Sequence, residues 1–397
     1  MFRTVSILLV LLCSLAARPA GADGITLIVS LDGFRWDYPE AFDTPFLNRI
    51  GAEGVKAVVT PAFPSKTFPN HYTLATGLVP DRHGLIANKF EDKATGRFFQ
   101  LSDSLMRRDG RYFGGEPVWL TAKRQGVRSA TVFWVGSDVA IQGAYPDYWR
   151  DYQREQIPPA ERVEEVVQLL SLPESVRPRL VMLYFEEPDL SGHKYGPISR
   201  PTRKAMEQMD SLLEVLWNRV QALPVGPKVD FIVTGDHGMT AVSPERQIFP
   251  KDHLPSHWVR RMAGDLPTLV YATEPQYVDS IVNALSRVDH LRAWRGGEVP
   301  AYLDYGRHPN TADVVVLPDV GWVFDNTPWP NGGTHGYDPT AADMWVAFRA
   351  IGPSFKRGYT RPKTFRNVSV YPLLCHLLGI TPAHNDGSLD EVSDMLR

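Results

Sequence analysis

Cysteine is almost missing from this chain. Of 397 residues only Cys13 and Cys375 carry thiols, and Cys13 lies in an N-terminal segment that reads as a cleaved leader. One thiol then remains, which excludes an internal disulfide and any cross-linked scaffold. Stability then has to come chiefly from an apolar core. An excess of one charge is missing too. Forty-two Lys and Arg stand against 45 Asp and Glu, a formal net charge of −3. That removes the electrostatic case for polymeric nucleic acid or an anionic membrane as a partner. No internal repeat, heptad stretch or low-complexity tract occurs, and no apolar run beyond the N-terminal segment is long enough to span a bilayer. What is present is ordinary globular composition, 43% hydrophobic, in a chain long enough for a large core.

Residues 1–23 read as a secretory signal. Arg3 supplies the basic start, Val5 to Ala17 the short apolar centre, and Ala20-Gly21-Ala22 the cleavage site, so the mature chain is expected to begin near Asp23. The apolar run is too short for a comfortable membrane anchor. Lipoprotein processing at Cys13 fails because Leu12 is not small. A periplasmic address is expected. Asn367-Val368-Ser369 is a formal glycosylation sequon of little weight.

Apolar strand-like runs at 25–31, 129–135, 180–185, 229–234 and 344–350 alternate with helical patterns at 45–54, 118–125, 159–172 and 202–222. Such alternation predicts an α/β fold, a mainly parallel sheet with helices on both faces. The span 241–330 differs, being rich in Pro, Trp and short strand-like pieces, and is expected to form a small inserted subdomain within a single catalytic domain, 24–397. Trp322, Phe324 and Trp329 there either rim a pocket or pack a satellite core. The runs Arg107-Arg108, Lys123-Arg124 and Arg260-Arg261 are expected on solvated faces.

Chemistry gathers at the ends of the predicted strands, where open α/β sheets build their sites. The run Val229 to Thr234 leads into Gly235-Asp236-His237-Gly238, and Ile25 to Leu31 leads into Asp32-Gly33. The strand ending at Phe185 is followed by Glu187-Pro188-Asp189 and then His193. Asp189 and His193 are four apart and share a helical face. His335 lies in the Gly-rich run Gly332-Gly333-Thr334-His335-Gly336. Any one of these has an ordinary structural reading as a cap or turn residue. Together they supply three Asp and three His, enough for two tetrahedral metal sites with room for substrate. Thr67, after the loop Pro64-Ser65-Lys66, is either a helix cap or a hydroxyl facing a cation that activates it as a nucleophile; spacing alone leaves both open.

Taken in order, Asp32-Gly33-Phe34-Arg35, Lys66-Thr67-Phe68-Pro69-Asn70-His71, Glu187-Pro188-Asp189 through His193, Gly196-Pro197, Asp236-His237-Gly238-Met239 and Gly333-Thr334-His335-Gly336 resemble the nucleotide pyrophosphatase/phosphodiesterase family of the alkaline phosphatase superfamily. The resemblance runs from residue 24 to about residue 380. It implies the alkaline-phosphatase-like three-layer sandwich and two zinc ions. One zinc would be held by Asp189, His193 and His335, the other by Asp32, Asp236, His237 and Thr67. It also implies Thr67 as nucleophile, Asn88 as donor to a phosphate oxygen, and Phe68 and Tyr152 flanking a nucleotide base. Trp134 and Asp138 follow as secondary pocket candidates. The implied substrate is a small phosphodiester, a nucleotide, cleaved through a phospho-threonine ester to a nucleoside 5′-monophosphate.

On the implied ligand set, two zinc ions, three carboxylates and one alkoxide sum to about zero charge, which suits a singly charged diester. No Arg lies between Ser65 and Leu78 to hold a monoester's second charge. Choline-phospholipid phosphodiesterase, phosphonate hydrolase and phosphomonoesterase activities share the same machinery and remain alternatives, as does a catalytically inactive metal-binding protein. A sulfatase is disfavoured, because Thr67 is neither Cys nor Ser.

Overall fold

The computed structural model describes residues 24–150 and 157–397. Its centre is a nine-stranded mixed sheet. Five strands run parallel in the order Val229–Thr234, Ile25–Leu31, Leu180–Phe185, Ser129–Val132, Tyr148–Arg150. The first three are buried at every residue, the pattern of strands covered on both faces. Helices Pro45–Glu53, Pro159–Ser171 and Arg200–Gln221 pack together on one side. Helices Thr67–Thr76, Val118–Arg124 and Val370–Leu378 pack together on the other. The three-layer α/β expectation is met.

Two differences from the sequence reading have physical causes. The strand expected at 344–350 spans Val346–Ile351 and runs antiparallel to both its neighbours, Val229–Thr234 and Val55–Thr60. Periodicity carries no information on strand direction. Val55–Thr60 itself was not expected. Its alternating burial, with Val55, Ala57 and Val59 inside, is the period-2 signal of a strand with one less covered face, and it follows a helix after a single glycine.

Within the later span, Val259–Ala263, Thr268–Ala272, Val314–Pro318 and Leu291–Arg295 form a four-stranded antiparallel sheet. It packs with helix Tyr277–Leu285 around a separate apolar cluster. Phe324 belongs to that cluster and Trp322 packs against it, so both are core residues. Of the basic runs, Arg108, Lys123, Arg124, Arg260 and Arg261 are exposed as expected and Arg107 is half-buried. Arg107 and Arg108 both approach the buried Asp138, at 3.1 and 3.5 Å. Arg260 makes a bidentate pair with Glu91. Cys375 is buried, and burial pushes its thiol up to about 12, an unreactive setting. Asn367 of the sequon is 2% exposed, so the folded chain offers no glycan acceptor there.

The end of the Leu180–Phe185 strand is held by a buried ion pair. Arg162 donates to both Glu186 oxygens, at 2.8 and 2.7 Å, and to the carbonyls of Tyr184 and Ile157. Its guanidinium lies 3.9 Å from the Phe133 ring centroid. Truncation would strand Glu186 as an uncompensated buried charge. Arg162→Ala is therefore expected to destabilise the fold by about 3–5 kcal/mol, read from the guanidinium denaturation midpoint. A loss below about 1 kcal/mol, the value of a surface pair, would contradict it.

Candidate active site

The carboxyl ends of the three central strands deliver the ligand-type residues to one place. Asp32 follows Leu31 and its N–H bonds to Phe185 O, while Asp189 N–H bonds back to Asp32 O at 3.0 Å. Gly33 adopts φ +68°, which a side chain would strain. That turn aims its N–H at Asp236 Oδ1, 3.1 Å away. Gly238 allows the chain past Asp343, whose carbonyl would lie 2.0 Å from an added Cβ. The strand Gly332–Thr334 pairs antiparallel with Thr240–Val242. This ribbon brings His335 beside His237, with the rings stacked at 3.4 Å.

The imidazoles are oriented from behind. His193 Nδ1 lies 2.9 Å from Gly333 O, His237 Nδ1 2.9 Å from Gly238 O and His335 Nδ1 2.8 Å from Ser65 O. A carbonyl only accepts, so each Nδ1 carries the proton and each Nε2 turns a lone pair inward. The two inward nitrogens of His193 and His335 are 3.1 Å apart. Asp189 Oδ1 faces them at 3.4 and 3.6 Å and is buried without a hydrogen bond. Around His237 Nε2 stand Asp236 Oδ2 at 3.0 Å, Thr67 Oγ1 at 3.2 Å and Asp32 Oδ1 at 3.3 Å. Lone pairs converging without protons between them repel, and a cation among them removes the repulsion. The donor set fits a metal: imidazole nitrogen and carboxylate oxygen suit zinc.

Two groups can each close around one ion: Asp189, His193 and His335, and Asp32, Asp189 and His237. Asp189 is therefore common to both, and Asp236 stands against His237 at the second. Without metal the electrostatics are discordant. Burial opposes charge on His237, but Asp236 and Asp189 outweigh it and raise its pKa. Burial, together with His237, Lys66 and His193, pushes His335 well below the usual imidazole value. Burial likewise opposes charge on Asp236, yet His237 and His71 hold its carboxyl below the usual range.

Thr67 is not a cap. Lys66 is the N-cap residue and Thr67 the first residue of the helix Thr67–Thr76. Asn88 stands alongside, its Oδ1 accepting from Phe68 N at 3.2 Å, which leaves its NH₂ as a donor. Phe68 is only 1% exposed, so its ring is not an open platform in this conformation. Tyr152 lies outside the described residues, as does the segment 1–23. Trp134 does not line a pocket: it is fully buried and donates its indole N–H to His71 O. Asp138 is taken up by Arg107 and Arg108.

Sequence reasoning missed the supports. Tyr184 O–H donates to Asp32 Oδ2 at 2.6 Å. A lone hydroxyl in an otherwise apolar buried strand was its signal, because a buried phenol needs a partner. His71 lies 3.0 Å from Thr67 O and 3.3 Å from Asp236 Oδ2 through Nδ1, with Ser30 Oγ 2.8 Å from Nε2. Ser65 ties the loop before Thr67 to the His335 loop, accepting from His335 and from Gly336 N and donating to Tyr337 O. No sequence pattern pointed to that role.

A sheet of this topology with paired metal-ligand clusters at its carboxyl edge defines an alkaline-phosphatase-superfamily α/β protein. The profile of the type I phosphodiesterase/nucleotide pyrophosphatase family matches residues 26–338, and the chain belongs to that metal-dependent family. It is 34% identical over 403 residues to ectonucleotide pyrophosphatase/phosphodiesterase family member 3 of Rattus norvegicus, covering 97% of this chain and 46% of that protein. The venom phosphodiesterase of Naja atra is 34% identical over 394 residues, covering 96% and 47%. The chain thus spans about half the length of the curated relatives it matches. Murine ectonucleotide pyrophosphatase/phosphodiesterase 5 superimposes with a TM-score of 0.89 at 32% identity, over 94% of this chain and 100% of that one. An inactive threonine-to-alanine form of the murine protein, solved in complex with AMP, also superimposes at 0.89. No helix among the described residues is long and apolar enough to cross a membrane.

Chelation is expected to lower the melting temperature by several degrees and zinc to restore it, because the metal-free cluster is a set of mutually repelling or mispaired buried groups. An unchanged melting curve after verified metal removal would show that these side chains are not held together by metal.

Proposed function

We propose that the chain is an exported two-zinc phosphodiesterase that cleaves nucleotide diesters or pyrophosphates and releases nucleoside 5′-monophosphates. The observation that carries this reading is the position of Thr67. Its hydroxyl heads a ten-residue helix and lies 3.2 Å from His237 Nε2, at the edge of a cluster of inward-facing ligand atoms. The AMP complex of the murine neighbour and the names of the relatives support the nucleotide class.

One ion would be held by Asp189, His193 and His335, the second by Asp32, Asp236, His237 and Thr67. Bound there, the metals supply Lewis acidity that favours the Thr67 alkoxide and neutralises charge on the phosphoryl oxygens. Thr67 Oγ1 attacks phosphorus in line, the leaving oxygen departs opposite, and a phospho-threonine ester forms. Water then cleaves that ester and returns the proton to the hydroxyl. Asn88 Nδ2 donates to a non-bridging phosphoryl oxygen. The N-terminal end of the helix beginning at Thr67 favours the same negative charge. Tyr184 and His71 hold Asp32 and Asp236, so the ligands need not reorganise as charge develops. Tyr152 selects the nucleoside by stacking on its base, while the buried Phe68 packs beneath the site.

Thr67→Ala is expected to lose at least about a thousandfold in kcat while keeping about two metals per chain, since the other ligands remain. Near-wild-type turnover would sink the assignment. His193→Ala and Asp32→Asn should each retain roughly one ion, lost from different groups. Retention of both ions in both variants would refute the grouping. Tyr152→Ala should cost roughly tenfold in kcat/KM on a nucleotide diester and almost nothing on a small diester without a base. Comparing a nucleotide diester, a phosphocholine ester and a simple monoester tests the substrate class, and preference for either of the last two would displace the nucleotide reading.

A further inference from the structure

The sequon residue Asn367 has a different employment. Its Nδ2 donates to Asn70 Oδ1 at 2.8 Å. Asn70 is fully buried and Asn367 is 2% exposed. Asn70 makes every hydrogen bond a carboxamide can: Oδ1 accepts from Asn367 and from Ala62 N at 2.8 Å, and Nδ2 donates to Pro64 O at 2.8 Å and Lys66 O at 3.0 Å. The orientation is not a matter of choice. A backbone N–H only donates, so the oxygen must face Ala62 and the nitrogen the two carbonyls. That oxygen in turn requires a donor from Asn367.

The braced segment is 61–66, which ends at Thr67. Pro61 and Pro64 have no N–H with which to secure it. On its far side Ser65 O accepts from His335 Nδ1, and Ser65 Oγ bonds with the 336–337 backbone. The loop is thus clamped between the Asn70–Asn367 pair and the loop that carries a metal-ligand candidate. Neither asparagine hydrogen-bonds to Thr67 Oγ1 or to any of the six ligand-type side chains; their effect passes through the backbone.

We propose that Asn367 is a positioning residue for the reaction: through Asn70 it fixes the 61–66 loop, and with it the distance from Thr67 Oγ1 to the metal cluster. This rests on Thr67 being the nucleophile. Without the Asn367 donor, one lone pair of the buried Asn70 oxygen has no partner. Asn70 is then held by three bonds instead of four, and its side-chain brace on the 61–66 loop loosens while the backbone bonds Lys66 N to Pro64 O and Asn70 N to Lys66 O remain. Near-attack geometry is unforgiving, and a shift of about 1 Å costs on the order of a hundredfold.

The test compares wild type with Asn367→Leu, Asn367→Ser, Asn70→Leu, the Asn70→Leu/Asn367→Leu pair and Thr67→Ala, all as full-length protein saturated with zinc. The readouts are circular dichroism, metal content, and kcat and KM on a chromogenic diester lacking a base. Folded Asn367 variants are expected to keep two ions, lose about tenfold to a hundredfold in kcat and change KM by less than about threefold, because the defect lies in alignment rather than binding. The pair should lose no more than its worse member, since both act on one loop. Should Asn367→Leu fail to fold, Asn367→Ser, which is smaller and admits water, carries the same measurement. A folded Asn367 variant with wild-type kcat would overturn the proposal, as would additive losses in the pair. If Thr67→Ala turns over, the nucleophile reading fails whatever the asparagines do. If Thr67→Ala is dead and the Asn367 variants are unimpaired, only the positioning role fails.

Discussion

Everything at the carboxyl edge of the sheet depends on lone pairs turned toward one another. Three backbone carbonyls accept from Nδ1 of His193, His237 and His335, which points the three Nε2 atoms at a space already lined by carboxylate oxygens. Two of those nitrogens sit 3.1 Å apart and Asp189 Oδ1 faces both without a hydrogen bond. In an apolar interior such an arrangement is costly, and cations turn the same cost into binding. Among the described residues Cys375 is the one free cysteine, so a metal at this point would be the cross-link between four separated chain segments.

The rest of the molecule keeps those segments in place. Parallel strands from 25, 180 and 229 end together because their hydrogen-bond register aligns Leu31 with Phe185 and Ser30 with Thr234. Buried supports then aim the ligands: Tyr184 on Asp32, His71 against Asp236, and Arg162–Glu186 beneath the strand that carries Tyr184. The loop that ends at Thr67 is held from two sides, by Ser65 toward His335 and by Asn70 with Asn367 from behind. The proposed nucleophile and a candidate ligand thus share one loop-to-loop contact. The helix Val370–Leu378 that follows Asn367 packs on the helix that begins at Thr67, which places a residue far along the chain behind the site.

Much of this could be read in the residues. Asp32, Asp189, Asp236 and their histidines stood out because each ends an apolar run at a Gly- or Pro-marked turn, and short-range pattern records strand ends well. Of the helices, Tyr277–Leu285 and Val370–Leu378 were not expected, whereas the four named from their 3.6-residue period were legible to within two residues. The supports were not. Tyr184, Ser65 and Asn367 make hydrogen bonds across 152, 270 and 297 residues of chain, and no local pattern encodes such a pairing. Trp134 was a pocket candidate only through the resemblance, and it is fully buried, because where an aromatic lies is set by packing.

The sequence by itself determined the alternation of strands and helices, the lack of cross-links and the types of side chain available for chemistry, because these follow from composition, period and turn residues. Only the tertiary structure decided that Val346–Ile351 runs antiparallel, that Asp189 lies within reach of both candidate groups, and that Thr67 opens its helix instead of capping it. Strand direction, shared ligation and the aim of a hydroxyl are set by which distant segments meet. That is settled by the packing of the whole chain around its buried sheet.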